Sequence, residues 1–212
     1  MKPGVLVHCL IGFAVLIWCH VLGAQSLHPV TIGQQEWSNE NLSVSHFRNG
    51  DLIPEAKSPV EWSRAARDHK PAWCYYDNDP ANGKTHGKLY NWYAVVDTRG
   101  LAPEGWHIPG KPDMVELIGY LDQHYMKIHE VDSLFLSELN SSPEHTLYTD
   151  QGGYRLQNGK FSHFGQYGFW WSNSCYLSTH AWLKHLKSSS AFTLTEYFHH
   201  GDGFSVRVLK DR

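Results

Sequence analysis

The chain has 212 residues, enough for one domain with a substantial hydrophobic core. Its 18 basic and 21 acidic residues give a formal net charge of -3 and form no basic stripe, which argues against a nucleic-acid partner. A hydrophobic content of 42% without repeats or low-complexity tracts indicates a folded globule rather than a disordered chain.

Residues 1–24 are typical of an export signal. Lys2 supplies a positive charge, the run 5–22 is mostly apolar, and small residues follow up to Ala24. We expect cleavage after Ala24, which leaves residues 25–212 as a single domain that is secreted, periplasmic or on the cell surface. The alternative is an uncleaved leader that anchors the protein in a membrane.

The first elements of the mature chain are short. Residues 27–57 are predicted to form short strands and turns, and the sequence RNGD at 48–51 is a hairpin signal. Residues 58–69 are predicted to form a helix, because Ser58 and Glu61 have the spacing of a capping box.

A long aromatic stretch covers residues 71–109, with the sequence PAWCYYDNDPANGKTHGKLYNWYAVVDTRGLAPEGWHIP. It is punctuated by glycine and proline, and it lacks the long aliphatic runs of an ordinary helix or strand. We expect an irregular ordered loop held by buried Trp and Tyr side chains, with a short helical piece at 88–96. Long ordered loops are common sites of binding surfaces.

The next helix is predicted at residues 112–124, where Met114, Leu117, Ile118 and Leu121 have helical spacing and are expected to pack in the core.

The rest of the chain divides into a polar part and an antiparallel part. Residues 125–168 are rich in Ser, His and Gly and show no clear periodicity. The remaining residues are predicted to form an antiparallel meander with strands at 169–176, 181–187, 191–198 and 203–210. Helices followed by a terminal antiparallel sheet predict an α+β fold.

One loop carries the oxygen ligands that calcium prefers. Asp77, Asp79 and Asn82 lie close together in the sequence and precede a glycine. Their spacing differs from that of an EF-hand, so the pattern predicts at most a single-loop calcium site. The alternative is that these residues only build turns.

Aromatic side chains are the candidates for ligand contact. In a strand, Trp170 and Trp171 point to opposite faces, so one of the two indoles is expected to face outward as a platform for a sugar ring. Tyr154 is a further candidate for the same surface. The alternative is a second buried face, covered by the aromatic loop.

Cleavage of the leader leaves two cysteines, Cys74 and Cys175. An exported compartment permits a disulfide between them. Two separate buried thiols are the alternative.

The sequence contains no nucleophile elbow, phosphate loop or zinc-binding HExxH pattern. Among its 15 histidines, His180, His185, His199 and His200 are expected to lie on the surface.

Five segments resemble one family closely. They are VTIGQQEWSNENLSVSHFRNGDLIPEA (30–56), the aromatic stretch 71–109, GGYR (152–155), FWWSNS (169–174) and GFSVRVLKD (203–211). The family is the Fibrobacter succinogenes major paralogous domain of exported bacterial proteins. This resemblance implies a C-type-lectin-like fold with two main helices, long ordered loops and a C-terminal antiparallel sheet. It also implies that Arg155 and Arg207 are shared structural arginines.

These observations together favour an exported, non-catalytic binding or surface-interaction module. The expected contact surface comprises residues 134–168 and the face near Trp171, and the expected partner is a polysaccharide or a surface protein. No cofactor is expected, and a calcium ion in the Asp77–Asn82 loop is the alternative. Two alternatives are an oxidoreductase like the formylglycine-generating enzymes, which need a reactive cysteine pair, and a structural component of the cell surface.

Overall fold

A computed structural model describes residues 25–125, 151–187 and 190–212. The helices in these ranges are α1 (Pro59–Arg67), α2 (Pro80–His86), α3 (Trp92–Val95) and α4 (Lys111–Tyr125), with a 3-10 turn at Tyr76–Asn78. The strands are β1 (Pro29–Ile32), β2 (Gln35–Ser38), β3 (Trp73–Cys74), β4 (Leu89–Asn91), β5 (Trp106–His107), β6 (Tyr154–Arg155), β7 (Phe161–Ser162), β8 (Tyr167–Leu177), β9 (His180–Lys187), β10 (Ser190–His199), β11 (Gly203–Phe204) and β12 (Leu209–Lys210).

Three antiparallel sheets organise these strands, in the orders β1-β2-β12-β5, β3-β4-β11-β6-β7 and β10-β9-β8. Helices combined with antiparallel sheets confirm the α+β class. The predicted strands at 169–176, 181–187 and 191–198 correspond to β8, β9 and β10, which form the meander.

The fourth strand of the predicted meander is wrong. Residues 203–210 divide into β11 and β12, which join two different sheets, and neither extends the β8–β10 meander. The reason is burial on both sides: Phe204 and Val206 are buried, and so are Ser205 and Arg207, which alternate with them. This segment therefore passes through the interior between sheets instead of lying half-exposed at an edge.

Helix α1 begins as predicted. Ser58 Oγ accepts a hydrogen bond from the Glu61 amide at 3.2 Å, and Glu61 Oε2 accepts one from the Ser58 amide at 3.0 Å. This capping box satisfies amides that lack partners within the helix. The helix buries Trp62 completely. Helix α4 also lies where it is predicted. Met114 and Leu117 are buried against the first sheet, whereas Ile118 is half-buried and the side chain of Leu121 lies outside what the structure describes.

The aromatic stretch is more regular than predicted. It contains β3, α2, β4, α3 and β5 instead of a single irregular loop. The helical piece expected at 88–96 is only α3, because the residues before it pair with β3 and β11 as strand β4. Tyr90 in β4 is fully buried, and its hydroxyl donates to the Val44 carbonyl at 2.7 Å.

The strands β4, β8 and β11 contribute Tyr90, Trp171 and Phe204 to one hydrophobic cluster. Trp171 packs edge-on against Phe204 with ring centroids 4.7 Å apart. The expected structural role of Arg155 fits its setting, since the fully buried guanidinium donates to the carbonyls of Ala56 at 2.9 Å and Gly159 at 3.3 Å. Among the described residues, no helix has both the length and the apolar character needed to cross a membrane.

Candidate functional site

An open groove of about 450 Å³ lies at the end of α3, between the loop that follows this helix and the residues around β5. Its walls combine polar side chains with small apolar ones. The lining residues are Arg48, Val95, Val96, Asp97, Gly100, Leu101, Ala102, His107, Ile108 and Asn173. A volume of this size is typical of a small-ligand site.

Arg48 is fixed by backbone carbonyls. Its Nε donates to the Ala102 carbonyl at 3.0 Å, and its Nη2 donates to the same oxygen at 2.9 Å. Nη2 also lies within hydrogen-bond distance of the carbonyls of Pro103 at 3.3 Å and Trp106 at 3.2 Å. The guanidinium therefore holds one fixed orientation in the groove wall, and it ties the 102–106 loop to the turn at 48–51.

Asp97 is held by a bidentate contact with Arg99. The Arg99 Nε and Nη2 donate to the two carboxylate oxygens at 2.9 Å each. The Nη1 of the same arginine donates to Asp51 at 3.1 Å. These hydrogen bonds from Arg99 lower the pKa of the Asp97 carboxyl, so Asp97 is an ionised acceptor at neutral pH.

His107 lies between two carboxylates. Its Nδ1 is 2.8 Å from Asp211 Oδ1, and its Nε2 is 3.8 Å from Asp113 Oδ2. Asp113 also accepts a hydrogen bond from the Gly110 amide at 2.7 Å, at the start of α4. The imidazole is thus oriented by the end of the chain on one side and by a helix terminus on the other.

Asn173 completes the polar wall from the middle of β8. Its amide Nδ2 donates to the Ile108 carbonyl at 2.9 Å, and its backbone amide donates to the Pro109 carbonyl at 3.0 Å. All four polar lining side chains are therefore held by contacts with the surrounding framework.

The expected tryptophan platform is wrong, because both indoles are buried. Trp171 is 0% exposed, and its Nε1 donates to the Tyr90 carbonyl at 2.8 Å. Trp170 is 4% exposed, and its Nε1 donates to Asn41 Oδ1 at 2.8 Å. The two rings do point to opposite faces, but each face is covered by a different hydrophobic cluster.

Tyr154 does not line the groove. It is half-buried against the central core and packs edge-on against Phe169 with ring centroids 5.0 Å apart. It also stacks on the exposed His163, with ring centroids 5.3 Å apart. In the expected contact surface at 134–168, residues 134–150 lie outside the described part of the chain.

The candidate calcium loop makes local hydrogen bonds. Asp79 caps α2 by accepting from the Ala81 amide at 2.9 Å, and Asn82 donates to the Tyr76 carbonyl at 3.0 Å. Asp77 has a left-handed backbone with φ of 52°. These contacts correspond to the alternative of turn-building residues. No three His, Cys, Asp or Glu side chains come together as metal ligands within the described ranges.

Of the two alternatives for the cysteines, the structure shows separate thiols and no disulfide between Cys74 and Cys175. Cys74 and Cys175 are both free thiols. Cys74 in β3 is buried in the core, whereas Cys175 is exposed near the end of β8. Burial raises the pKa of the Cys74 thiol to about 12, so this sulfur is protonated at neutral pH. The alternative of two buried thiols holds for Cys74 alone.

One histidine expected on the surface lies in the interior. His200 is only 4% exposed, and His199 and His180 are half-buried. The side chain of His185 lies outside what the structure describes. The sequence offered one signal for this burial, because His200 falls in a segment in which Gly201 and Gly203 permit close packing against α1.

The comparisons with known proteins identify a family but no ligand. A search of curated proteins and a search of solved structures found no match. The family model described as the Fibrobacter succinogenes major domain matches residues 30–210. That range covers most of the chain and all of the groove, and we conclude that the chain belongs to the Fibrobacter succinogenes major domain family.

Proposed function

We propose that the protein is an exported, non-catalytic binding module that holds a segment of polysaccharide in the groove beside α3. The domain would be a variant of the C-type-lectin-like fold, exported through the signal at residues 1–24. The observation that carries the proposal is the set of four fixed polar side chains in the groove wall: Arg48, Asp97, His107 and Asn173.

The chemistry of the wall suits sugar hydroxyl groups. A hydroxyl both donates and accepts, so a sugar site needs both kinds of partner at fixed positions. Asp97 supplies an ionised acceptor, Arg48 supplies donors, and Asn173 has an amide with both functions. Because the framework already orients these groups, ligand binding would order few side chains and lose little affinity to entropy.

The size of the groove favours a polysaccharide over a surface protein. Its volume of about 450 Å³ is on the scale of a small ligand. A stable protein interface would bury roughly 800 Å² on each partner and would be centred on large anchoring side chains.

The thiols disfavour the alternative oxidoreductase, which depends on a reactive cysteine pair. Cys74 is buried with a raised pKa, and Cys175 is exposed elsewhere. Self-association into a cell-surface layer is the other alternative, and size-exclusion chromatography at several concentrations distinguishes it from a soluble binding module.

A glycan array probed with residues 25–212, with calcium and again with chelator, tests the proposal. The diagnostic variant is Val96→Trp, because Val96 lines the groove and is 38% exposed, so an indole there fills the space without disturbing the core. Val60→Trp on α1 is the matched control, since Val60 is 67% exposed and does not line the groove. We expect saturable binding that Val96→Trp abolishes and Val60→Trp retains.

A further inference from the structure

The charged side chains of the groove differ in how their charge is balanced. Asp97 is paired with Arg99, and His107 faces Asp211. Arg48 has a different environment, because the hydrogen bonds described for its guanidinium all go to neutral backbone carbonyls. In the part of the chain that the structure describes, Arg48 forms no ion pair with a carboxylate.

The donors of Arg48 are only partly used. Nε and Nη2 donate to the carbonyls of Ala102, Pro103 and Trp106, whereas Nη1 has no hydrogen bond among the described residues. A guanidinium has five N–H donors, and both hydrogens of Nη1 are left for a ligand. The carbonyls hold Nε and Nη2 and so prevent the guanidinium from turning away, and Arg48 is one of the residues that line the groove.

We infer that Arg48 binds an anionic group on the ligand, so that the groove selects an acidic sugar with a carboxylate, such as a uronic acid unit. This inference rests on the proposed function. A charge-assisted hydrogen bond from Arg is stronger than one between neutral groups. Arg99 is shared between Asp97 and Asp51, which leaves one negative charge uncompensated there, so a second anionic group on the ligand would be repelled beside Asp97. A carboxylate at Arg48 and neutral hydroxyls at Asp97 satisfy both residues.

Calorimetric titration of the wild-type domain with oligogalacturonate, and with the same oligomer after reduction of its carboxyl groups, tests the inference. We expect the reduced oligomer to bind at least about tenfold more weakly, since a hydrogen bond to a charged group is lost. Added salt should weaken binding of the uronate oligomer more than binding of the reduced one.

The other outcomes separate this inference from the proposed function. Equal affinity for the two oligomers would overturn the role of Arg48 and leave sugar binding intact. Binding to a sulfated polymer alone would overturn the choice of a carboxylate. Failure of all of these polymers together with every glycan on the array would overturn both the inference and the proposed function.

Arg48→Gln provides a second test, with Arg64→Gln on the exposed side of α1 as the matched control. We expect Arg48→Gln to remove the preference for the uronate oligomer and Arg64→Gln to keep it. Arg48 also ties the 102–106 loop in place, so circular dichroism must first show that the variant is folded. If Arg48→Gln is not folded, the comparison of the two oligomers on the wild-type protein still shows whether the groove prefers a carboxylate.

Discussion

The imidazole of His200 stacks on the indole of Trp92, with ring centroids 3.8 Å apart and 14° between the ring planes. The contact joins the turn after β10 to α3, the helix that leads into the groove. The Trp92 amide also donates to the His200 carbonyl at 3.0 Å. Burial lowers the pKa of His200, and a hydrogen bond to the backbone of His180 partly opposes this shift.

The pKa of His200 predicts a pH dependence of stability. A histidine with a lowered pKa in the folded state binds a proton more readily when the protein is unfolded. Its contribution to the stability of the fold is therefore present above the ordinary pKa of 6.5 and is lost as pH falls below that value. His200→Phe keeps an aromatic ring on Trp92 and removes the titration. We expect the free energy of unfolding of this variant to fall less than that of the wild type between about pH 7.5 and about pH 5.5.

Urea unfolding at several pH values measures this difference. His28→Phe, at an exposed position, controls for the added ring. Parallel pH profiles for the wild type and His200→Phe would contradict the role of the buried imidazole.

The pKa of Asp202 predicts the opposite pH dependence of stability to that of His200. Burial raises the pKa of its carboxyl from 3.8 to about 6, although the amides of Gln157 and His199 donate to it at 2.7 and 3.0 Å. Because the pKa of Asp202 is raised in the folded state, its contribution to the stability of the fold is present below pH 3.8 and is lost as pH rises through about 6. The stability of Asp202→Asn relative to the wild type should therefore improve from pH 4 to 7, by up to about 3 kcal/mol.

The amide in Asp202→Asn accepts from one backbone donor but repels the other, so the variant is expected to be less stable than the wild type at low pH. Urea unfolding at several pH values measures both the stability difference at low pH and its change from pH 4 to 7. A stability difference that stays constant over this pH range would show that the buried carboxyl does not titrate as described.

Two glycines with positive φ differ in how closely other atoms approach them. Gly87 ends α2 with φ of 69°, and a Cβ atom there would lie 2.9 Å from both Asn41 Cβ and the Leu42 carbonyl oxygen. Gly50 has φ of 91°, and a Cβ atom added there would meet no other atom within 4 Å. We expect Gly50→Ala to cost roughly 1 kcal/mol for the left-handed backbone, and Gly87→Ala to cost about 1–3 kcal/mol more.

Thermal or urea unfolding of the two variants gives this comparison directly. Equal losses of stability would mean that the backbone at Gly87 is not packed against Asn41 and Leu42 in solution.

Thiol reactivity follows from burial. Cys175 is exposed, whereas Cys74 is buried with a pKa of about 12. In a protein comprising residues 25–212, we expect one thiol to react quickly with Ellman's reagent under native conditions and a second to react only in denaturant. Cys175→Ser should remove the fast reaction. Failure of both thiols to react in denaturant without reductant would instead indicate a disulfide.

Local signals allowed part of the fold to be predicted. The capping box at Ser58 and the apolar spacing around Met114 located α1 and α4, because both depend on residues close in sequence. Helix α2 was missed because it buries no side chain and so has no apolar face. Asp79 at its N-cap, Pro80 at its first position and Gly87 at its C-cap were the available signals.

The site depends on contacts that sequence spacing does not reveal. Arg48, Asp97, His107 and Asn173 come from four separate segments, and their approach depends on how the sheets pack. The alternation of Trp170 and Trp171 correctly gave two opposite faces. It contained no information on whether each face would be covered, since that depends on Asn41, Phe204 and other distant residues.

The most direct test of the account is the binding of residues 25–212 to a glycan array, compared between the wild type, Val96→Trp and Val60→Trp. The account predicts saturable binding by the wild type and by Val60→Trp, and its loss in Val96→Trp, where the indole fills the groove. Binding that persists unchanged in Val96→Trp would place the sugar elsewhere, and the absence of any glycan binding by the wild type would contradict the proposed function.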